Sequence, residues 1–232
     1  ALLSGHIDLA VHSLKDLPVD QPHGLIALPV LQREDARAVL VNRWSSKLID
    51  LPAGARIGTS STRRAAQLTY GRKDIHLIPV RGNIETRISK ISASNYDGMI
   101  LAAAGLIRLG LTEHIAEYLS PGICTPAPGQ AAIAAEVRAT DTELLQLVRL
   151  ITHLPTIQAV TAERSVLRAA GSGCSLPLGA FAAIEDSNMR LFATVTPSDG
   201  SLSYRVEVTG DASEPEILGK AAFDGLLEQG AG

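Results

Sequence analysis

Short apolar runs, punctuated by Gly and Pro, fill the first two thirds of the chain, and amphipathic stretches separate several of them. Residues 7–11, 24–30, 38–41, 56–58, 76–80, 98–102 and 131–137 read as strands, with 7–11 a short buried one. Helical periodicity follows the strand at 56–58 and again spans 84–93, 141–151, 156–170 and 214–229. Strand alternates with helix from 56 to 102, which predicts a parallel sheet with helices on its faces. Residues 31–37 are polar, and 124–130 (Cys124-Thr125-Pro126-Ala127-Pro128-Gly129-Gln130) have the composition of a loop. Two such crossings predict two lobes joined by a hinge. Beyond them, strand candidates at 180–184, 190–196 and 204–208 lie between two helices, a small α+β unit.

The expected fold is therefore α/β: two lobes like those of periplasmic binding proteins, plus a small α+β C-terminal domain. The boundaries read as 1–31 with 132–150 for the first domain, 37–125 for the second and 154–232 for the third. Residues 1–5 read as the last turn of a helix with Gly5 at its C-cap, which predicts a preceding segment in the full protein.

Composition sharpens this picture. Hydrophobic residues make up 46% of the 232 positions and aromatics only 3%, so the core must be aliphatic. Net charge is −3 with a pI near 6.1, which argues against a general nucleic-acid binder. Base is nevertheless concentrated in one segment: Arg56, Arg63, Arg64, Arg72, Lys73, Arg81, Arg87 and Lys90 face only Asp74 and Glu85. That pattern suits a small anion. Cys124 and Cys174 lack metal-ligand spacing and form no disulfide framework, so no metal is expected and a reducing, cytoplasmic setting fits. No apolar run approaches the length of a membrane span.

The chemistry gathers at strand ends. Gly58-Thr59-Ser60-Ser61-Thr62-Arg63-Arg64 lies at a strand-to-helix turn, where unpaired N–H groups and the helix dipole attract anions. Arg63 and Arg64 in a first helical turn oppose that dipole unless an anion lies between. Arg81 ends the next strand, Arg87 lies on the following helix, and Arg108 follows a third strand. In a parallel sheet those ends share one edge, so the arginines converge on one cleft. Lys15 and Asp16 follow the strand at 7–11 in the same manner. Cys174, between Gly173 and Ser175, reads as a thiol presented on a loop.

These segments resemble the porphobilinogen deaminase (hydroxymethylbilane synthase) family. Ala10-Val11-His12-Ser13-Leu14-Lys15-Asp16 resembles its AVHSxKD, and Gly58 to Arg64 its GTSSxRR. Arg81-Gly82-Asn83 with Thr86-Arg87 resembles RGNxxTR, and Ala104-Gly105-Leu106 with Arg108 resembles AGLxR. Pro126 to Gln130 resembles PAxGQG, with Ala131 in place of the last Gly. Gly171-Ser172-Gly173-Cys174 resembles the cofactor loop. The likeness runs in order through almost the whole chain. The family's Gly-Lys-Gly segment, which precedes AVHSxKD, has no counterpart here.

The resemblance implies a transferase of tetrapyrrole and heme biosynthesis. It condenses four porphobilinogens head to tail into hydroxymethylbilane, releasing ammonia at each step, on a dipyrromethane primer. By resemblance Cys174 carries that cofactor through a thioether, and Asp16 is the catalytic carboxylate that stabilises the electron-poor azafulvene and passes protons. Ser13, Lys15, Thr59, Ser60, Ser61, Arg63, Arg64, Gly82, Arg87 and Gln130 would hold the cofactor or the growing chain. Arg81 and Arg108 would take incoming carboxylates. Porphobilinogen is then the partner of a monomer that binds neither nucleic acid nor membrane. The competing reading is a clamshell protein that binds a small carboxylate-bearing anion without chemistry, which leaves Asp16 and Cys174 without a task.

Overall fold

The computed structural model describes residues 1–93, 95–171 and 177–231. Strand β1 (Leu9–Ser13) runs into a 3-10 turn at Leu14–Asp16. After it come β2 (Leu25–Val30), β3 (Ala38–Asn42), β4 (Arg56–Gly58), α1 (Thr62–Gly71), β5 (His76–Ile78), α2 (Ile84–Ala93) and β6 (Gly98–Ala102). Helix α3 (Ala103–Leu109), β7 (Glu117–Leu119), β8 (Ile133–Arg138), α4 (Thr142–Leu150) and α5 (Leu154–Ala170) follow. The chain closes with β9 (Leu178–Glu185), β10 (Asn188–Val195), β11 (Tyr204–Asp211) and α6 (Pro215–Glu228).

Three sheets result, in the orders β1-β8-β2, β5-β4-β6-β3-β7 and β11-β10-β9. The chain leaves the first sheet after β2, builds the second, and returns to the first at β8. It therefore crosses between two lobes twice, at residues 31–37 and 120–132, as the polar and loop-like segments predict. Each crossing contains a non-glycine residue in the left-handed region, Leu31 at φ 63° and Ala131 at φ 69°.

The second sheet corrects one expectation. It is mixed rather than parallel: β4 runs parallel to β5 and β6, while β3 is antiparallel to both β6 and β7. Parallel neighbours need a covering crossover, usually a helix. The link from β3 to β4 holds only a 3-10 turn at Leu48–Asp50, so the helix-linked alternation starts at β4. The parallel trio β4, β5 and β6 is the part whose ends carry the arginines, and the convergence holds for Arg64, Arg87 and Arg108 but not for Arg63 and Arg81.

Burial explains the continuous apolar runs. Val39, Val41, Met99 and Leu101 pack on one face with Ile91 and Leu106, while Leu40, Ile57 and Ile100 pack on the other with Leu68. Strands covered on both faces lose the alternation of polar and apolar positions. β1 differs from the buried strand expected there. It begins later, at Leu9, and is an edge strand of alternating exposure, with Val11 exposed. β7 was not predicted.

In the third sheet α5 and α6 cover one face, with Val166, Leu218, Ala222 and Leu226 against Leu191 and Ala193. The α+β expectation holds, and β11 alternates half-buried with exposed positions accordingly. This unit is fastened to the second crossing: the Ala180 N–H donates to the Pro126 carbonyl (2.9 Å), and the Thr125 and Thr194 hydroxyls lie 2.7 Å apart. At the start of the chain, the Gly5 N–H donates to Leu2 O and the His6 N–H to Ala1 O, both at 3.0 Å. With Gly5 at φ 70°, this is the bond pair of a helix C-cap.

Candidate active site

Helix α1 begins where the sequence places it, and its cap spends much of the turn's hydrogen-bonding capacity. Ser61 is the N-cap, its hydroxyl accepting the Arg64 N–H at 3.3 Å. The Thr59 N–H donates to Ile78 O at 3.0 Å, and the Thr59 hydroxyl accepts the Ser61 N–H at 3.3 Å. Ser60 ties this turn to the next strand end, donating to Val80 O and accepting the Val80 N–H. The hydroxyls thus build the wall as well as face it.

The paired arginines part company. Arg64 is 8% exposed and reaches the cleft, where one guanidinium nitrogen donates to Ile100 O at 3.3 Å. Its Nε is buried without a partner among the described residues. Burial, and then the charges of Arg63 and Arg87, push its pKa down to about 10, against the pull of Cys124. A carboxylate placed beside it would offset that burial penalty and accept the unused Nε–H. Arg63 instead donates to the Thr125 carbonyl. One helical turn on, the Gln67 amide joins it there, its oxygen accepting the Thr125 N–H at 2.6 Å. Arg63 and Gln67 together fasten α1 to the second crossing.

The cleft between the lobes has a volume of about 480 Å³. It brings together Ser13, Lys15 and Gln130 from one side and Arg64, Gly82, Arg87 and Arg108 from the other. Arg87 is braced by donating from Nε to Gly82 O at 2.7 Å, and Arg108 by donating to Ala131 O at 3.0 Å. Lys15 Nζ donates to Gln130 Oε1 at 3.3 Å. Desolvation by the cleft walls lowers the Lys15 pKa; Asp16 pulls it back up, and Arg64, Arg63 and Arg87 push it further down. Burial first, and the neighbouring positive charges second, oppose the charges that the site gathers.

The remaining expected residues fall elsewhere. Thr59, Ser60, Ser61 and Arg81 line a separate cavity of about 520 Å³. Asp16 is exposed beside Lys15 at the end of the turn, outside the cleft's lining, and its carboxylate makes no hydrogen bond among the described residues. Cys174 lies outside the described residues. Sequence reasoning missed Asn83 and Glu85, which also line the cleft. Asn83 stands inside the RGN motif and could have been taken with it. It also missed Arg33 and Glu163, which are buried together at the hinge. Separated by 130 positions, they leave no local signal.

Two family models cover nearly all of the chain: "Porphobilinogen deaminase, dipyromethane cofactor binding domain" over residues 1–146, and "Porphobilinogen deaminase, C-terminal domain" over 157–228. The chain belongs to the porphobilinogen deaminase family. A porphobilinogen deaminase of Desulforudis audaxviator is 47% identical over 232 residues, which is 100% of this chain and 75% of that protein. One from Thermus thermophilus is 47% identical over 231 residues, covering 99% and 77%. Among solved structures, the periplasmic aliphatic sulphonate binding protein SsuA from Escherichia coli has a TM-score of 0.39 at 15% identity, over 72% of this chain and 55% of that one. That likeness is too loose to bear on function.

Membership in this family makes the chain an enzyme acting on porphobilinogen, a transferase of tetrapyrrole biosynthesis with a dipyrromethane cofactor. The reading as a binding protein without chemistry falls away. The cleft fits the cofactor, whose pyrroles carry acetate and propionate groups: a buried arginine whose Nε has no partner among the described residues faces the same space as Lys15, Arg87 and Arg108. No helix among the described residues is long and apolar enough to cross a membrane.

Proposed function

We propose that the cleft between Lys15 and Arg64 holds the carboxylates of the dipyrromethane cofactor and of the chain growing on it, and that Asp16 carries the proton chemistry. The observation behind this reading is Arg64, buried in a cationic cleft with its Nε unpartnered among the described residues. Arg64 and Arg87 would take the cofactor's carboxylates as charge-assisted pairs. Arg108, at the exposed end of α3, and Arg81 would receive those of incoming porphobilinogen. Ser13, Gly82 and Gln130 would fix register by hydrogen bonds, Gln130 while holding Lys15. Thr59, Ser60, Ser61 and Arg63 would support the cofactor through the α1 turn and its tie to the second crossing.

Bound through the Cys174 sulfur, the cofactor would supply the nucleophilic pyrrole carbon to which each new unit is joined. The Asp16 carboxylate has no hydrogen-bond partner among the described residues, so it is free to accept hydrogen bonds from pyrrole N–H groups. There it would stabilise the positive charge that develops as ammonia leaves, and move a proton at the carboxylate oxygen. We place the enzyme in the cytoplasm as a monomer, with no nucleic-acid or membrane partner; the acidic pI argues against the nucleic acid.

The test is Asp16→Ala, assayed after the covalent cofactor has been confirmed by mass. The expected result is a loaded, folded protein whose ammonia release falls by roughly a hundredfold or more. Ammonia release near the native rate from such a protein overturns the role given to Asp16.

A further inference from the structure

The turn that presents Lys15 and Asp16 is gripped from outside the lobe. Arg164, on α5, donates from one terminal nitrogen to Leu14 O (3.2 Å) and Leu17 O (3.3 Å). Its other terminal nitrogen donates to Pro18 O and to Val19 O (3.4 Å). Four carbonyls that bracket Asp16 on both sides therefore converge on one guanidinium. Arg164 is half-buried, and desolvation lowers its pKa, with Arg168 pushing the same way and Asp20 opposing. A cation desolvated without a carboxylate contact is costly, and the carbonyls are what compensate it.

The turn has little else to define it. Within it, Leu17 N–H donates to Leu14 O at 3.2 Å, and Leu14 N–H is anchored to Ala132 O at 3.0 Å. The Leu14 side chain is 2% exposed and packs with Ala132, Ala134 and Val160. On the side away from that plug, the Asp16 carboxylate has no hydrogen bond among the described residues, so its place is set by its backbone alone. The backbone on its C-terminal side is held by Arg164.

We infer that Arg164 is a positioning residue for the reaction: its fork across Leu14, Leu17, Pro18 and Val19 sets the pose of the Asp16 carboxylate. The inference rests on the reading of Asp16 given above. Geometry explains why arginine stands here. A planar fork with five N–H donors can serve several carbonyls at once, whereas a lysine ammonium on the same helix is a point donor with three protons. The neighbouring Glu163 meets the hinge from the same turn of helix, so α5 contacts both the catalytic turn and the crossings.

The test pairs Arg164→Met, which keeps an apolar stem, with Arg164→Lys, and compares both with Asp16→Ala. Amide hydrogen exchange is followed by segment, and turnover is measured on protein whose cofactor loading has been checked by mass. Exchange across residues 15–19 is expected to rise roughly tenfold in Arg164→Met, with α5 and β9–β10 still protected. At the same time kcat should fall roughly 100-fold with KM nearly unchanged, since a displaced catalytic group costs rate rather than binding. Arg164→Lys should recover part of both effects. Unchanged exchange across 15–19, or native kcat beside an inactive Asp16→Ala, overturns the positioning role. Loss of protection throughout α5 and the third sheet overturns it too, showing a general fold contribution. If Asp16→Ala itself turns over normally, the reading of Asp16 has failed instead, and this inference goes with it.

Discussion

Arg33 and Glu163 meet fork to fork at the hinge, with nitrogen–oxygen distances of 2.6 and 3.2 Å and the Glu163 residue 0% exposed. Arg33 lies in the first crossing, and its Nε also donates to Gln130 O at 2.7 Å in the second. Glu163 further accepts the Gly129 N–H (2.7 Å) and the Ala182 N–H (2.8 Å). One ion pair therefore joins both crossings to the C-terminal unit. Through Gln130 it also reaches Lys15 in the cleft. Removing one partner of a buried pair leaves an uncompensated charge. Glu163→Gln is expected to lower unfolding free energy by about 3 kcal/mol, read from urea denaturation. A loss within experimental error contradicts the role given to this pair.

Arg64 illustrates the opposite balance. Its pKa, pushed down to about 10, shows that the folded protein opposes its charge. Replacing it by the shorter, neutral and apolar methionine should stabilise the cofactor-free chain by roughly 1–3 kcal/mol. The same change should impair cofactor loading. A thermal melt beside a mass spectrum checks both, and a variant that is less stable yet fully loaded contradicts the account.

Lys15 gives a pH signature. Its folded pKa lies below 10.5. Between that value and 10.5 the unfolded chain binds more protons than the folded one, so stability attributable to Lys15 rises with pH. Below the window the charged lysine is a constant penalty. Paired unfolding curves of the native chain and Lys15→Met, taken at increasing pH up to 10.5, should show the native chain gaining on the variant. A difference independent of pH contradicts the depressed pKa.

Ala131 carries backbone strain at the second crossing. Its φ of 69° is readily adopted by glycine, and the motif that this stretch resembles has glycine there. Relief of the left-handed cost, less glycine's greater entropy when unfolded, leaves a net gain of about 0.5–1 kcal/mol for Ala131→Gly. Calorimetry should show a higher Tm. A lower Tm means that Ala131's packing outweighs its strain.

What the sequence made legible follows from how local each signal is. The strand-to-helix turn at Gly58 and the crossing at 124–130 were readable because Gly, Pro and hydroxyl residues mark them within a few positions, and the crossing at 31–37 because it is polar; the helix after Ala102 was not read. Arg64, Arg87 and Arg108 came together because they follow parallel strands, and that geometry holds wherever the sheet is parallel. The antiparallel return of β3 was not readable, since nothing within residues 38–42 reports which neighbour they will pair with. Nor could the sequence separate Arg63 from Arg64. Adjacent on a helix, they point about 100° apart, one toward the crossing and the other into the cleft. The Arg33–Glu163 pair and the Arg164 grip join positions far apart in the chain, and only the folded structure brings them together.

The central claim is that this cleft is built around a pyrrole cofactor anchored at Cys174. The most direct measurement is the intact mass of the protein after incubation with porphobilinogen, compared with Cys174→Ser. The account predicts an added mass of two linked pyrrole units on the native chain, localised to the peptide containing Cys174 and missing from the variant. A native protein that folds yet stays unmodified, or an adduct that persists in Cys174→Ser, contradicts it.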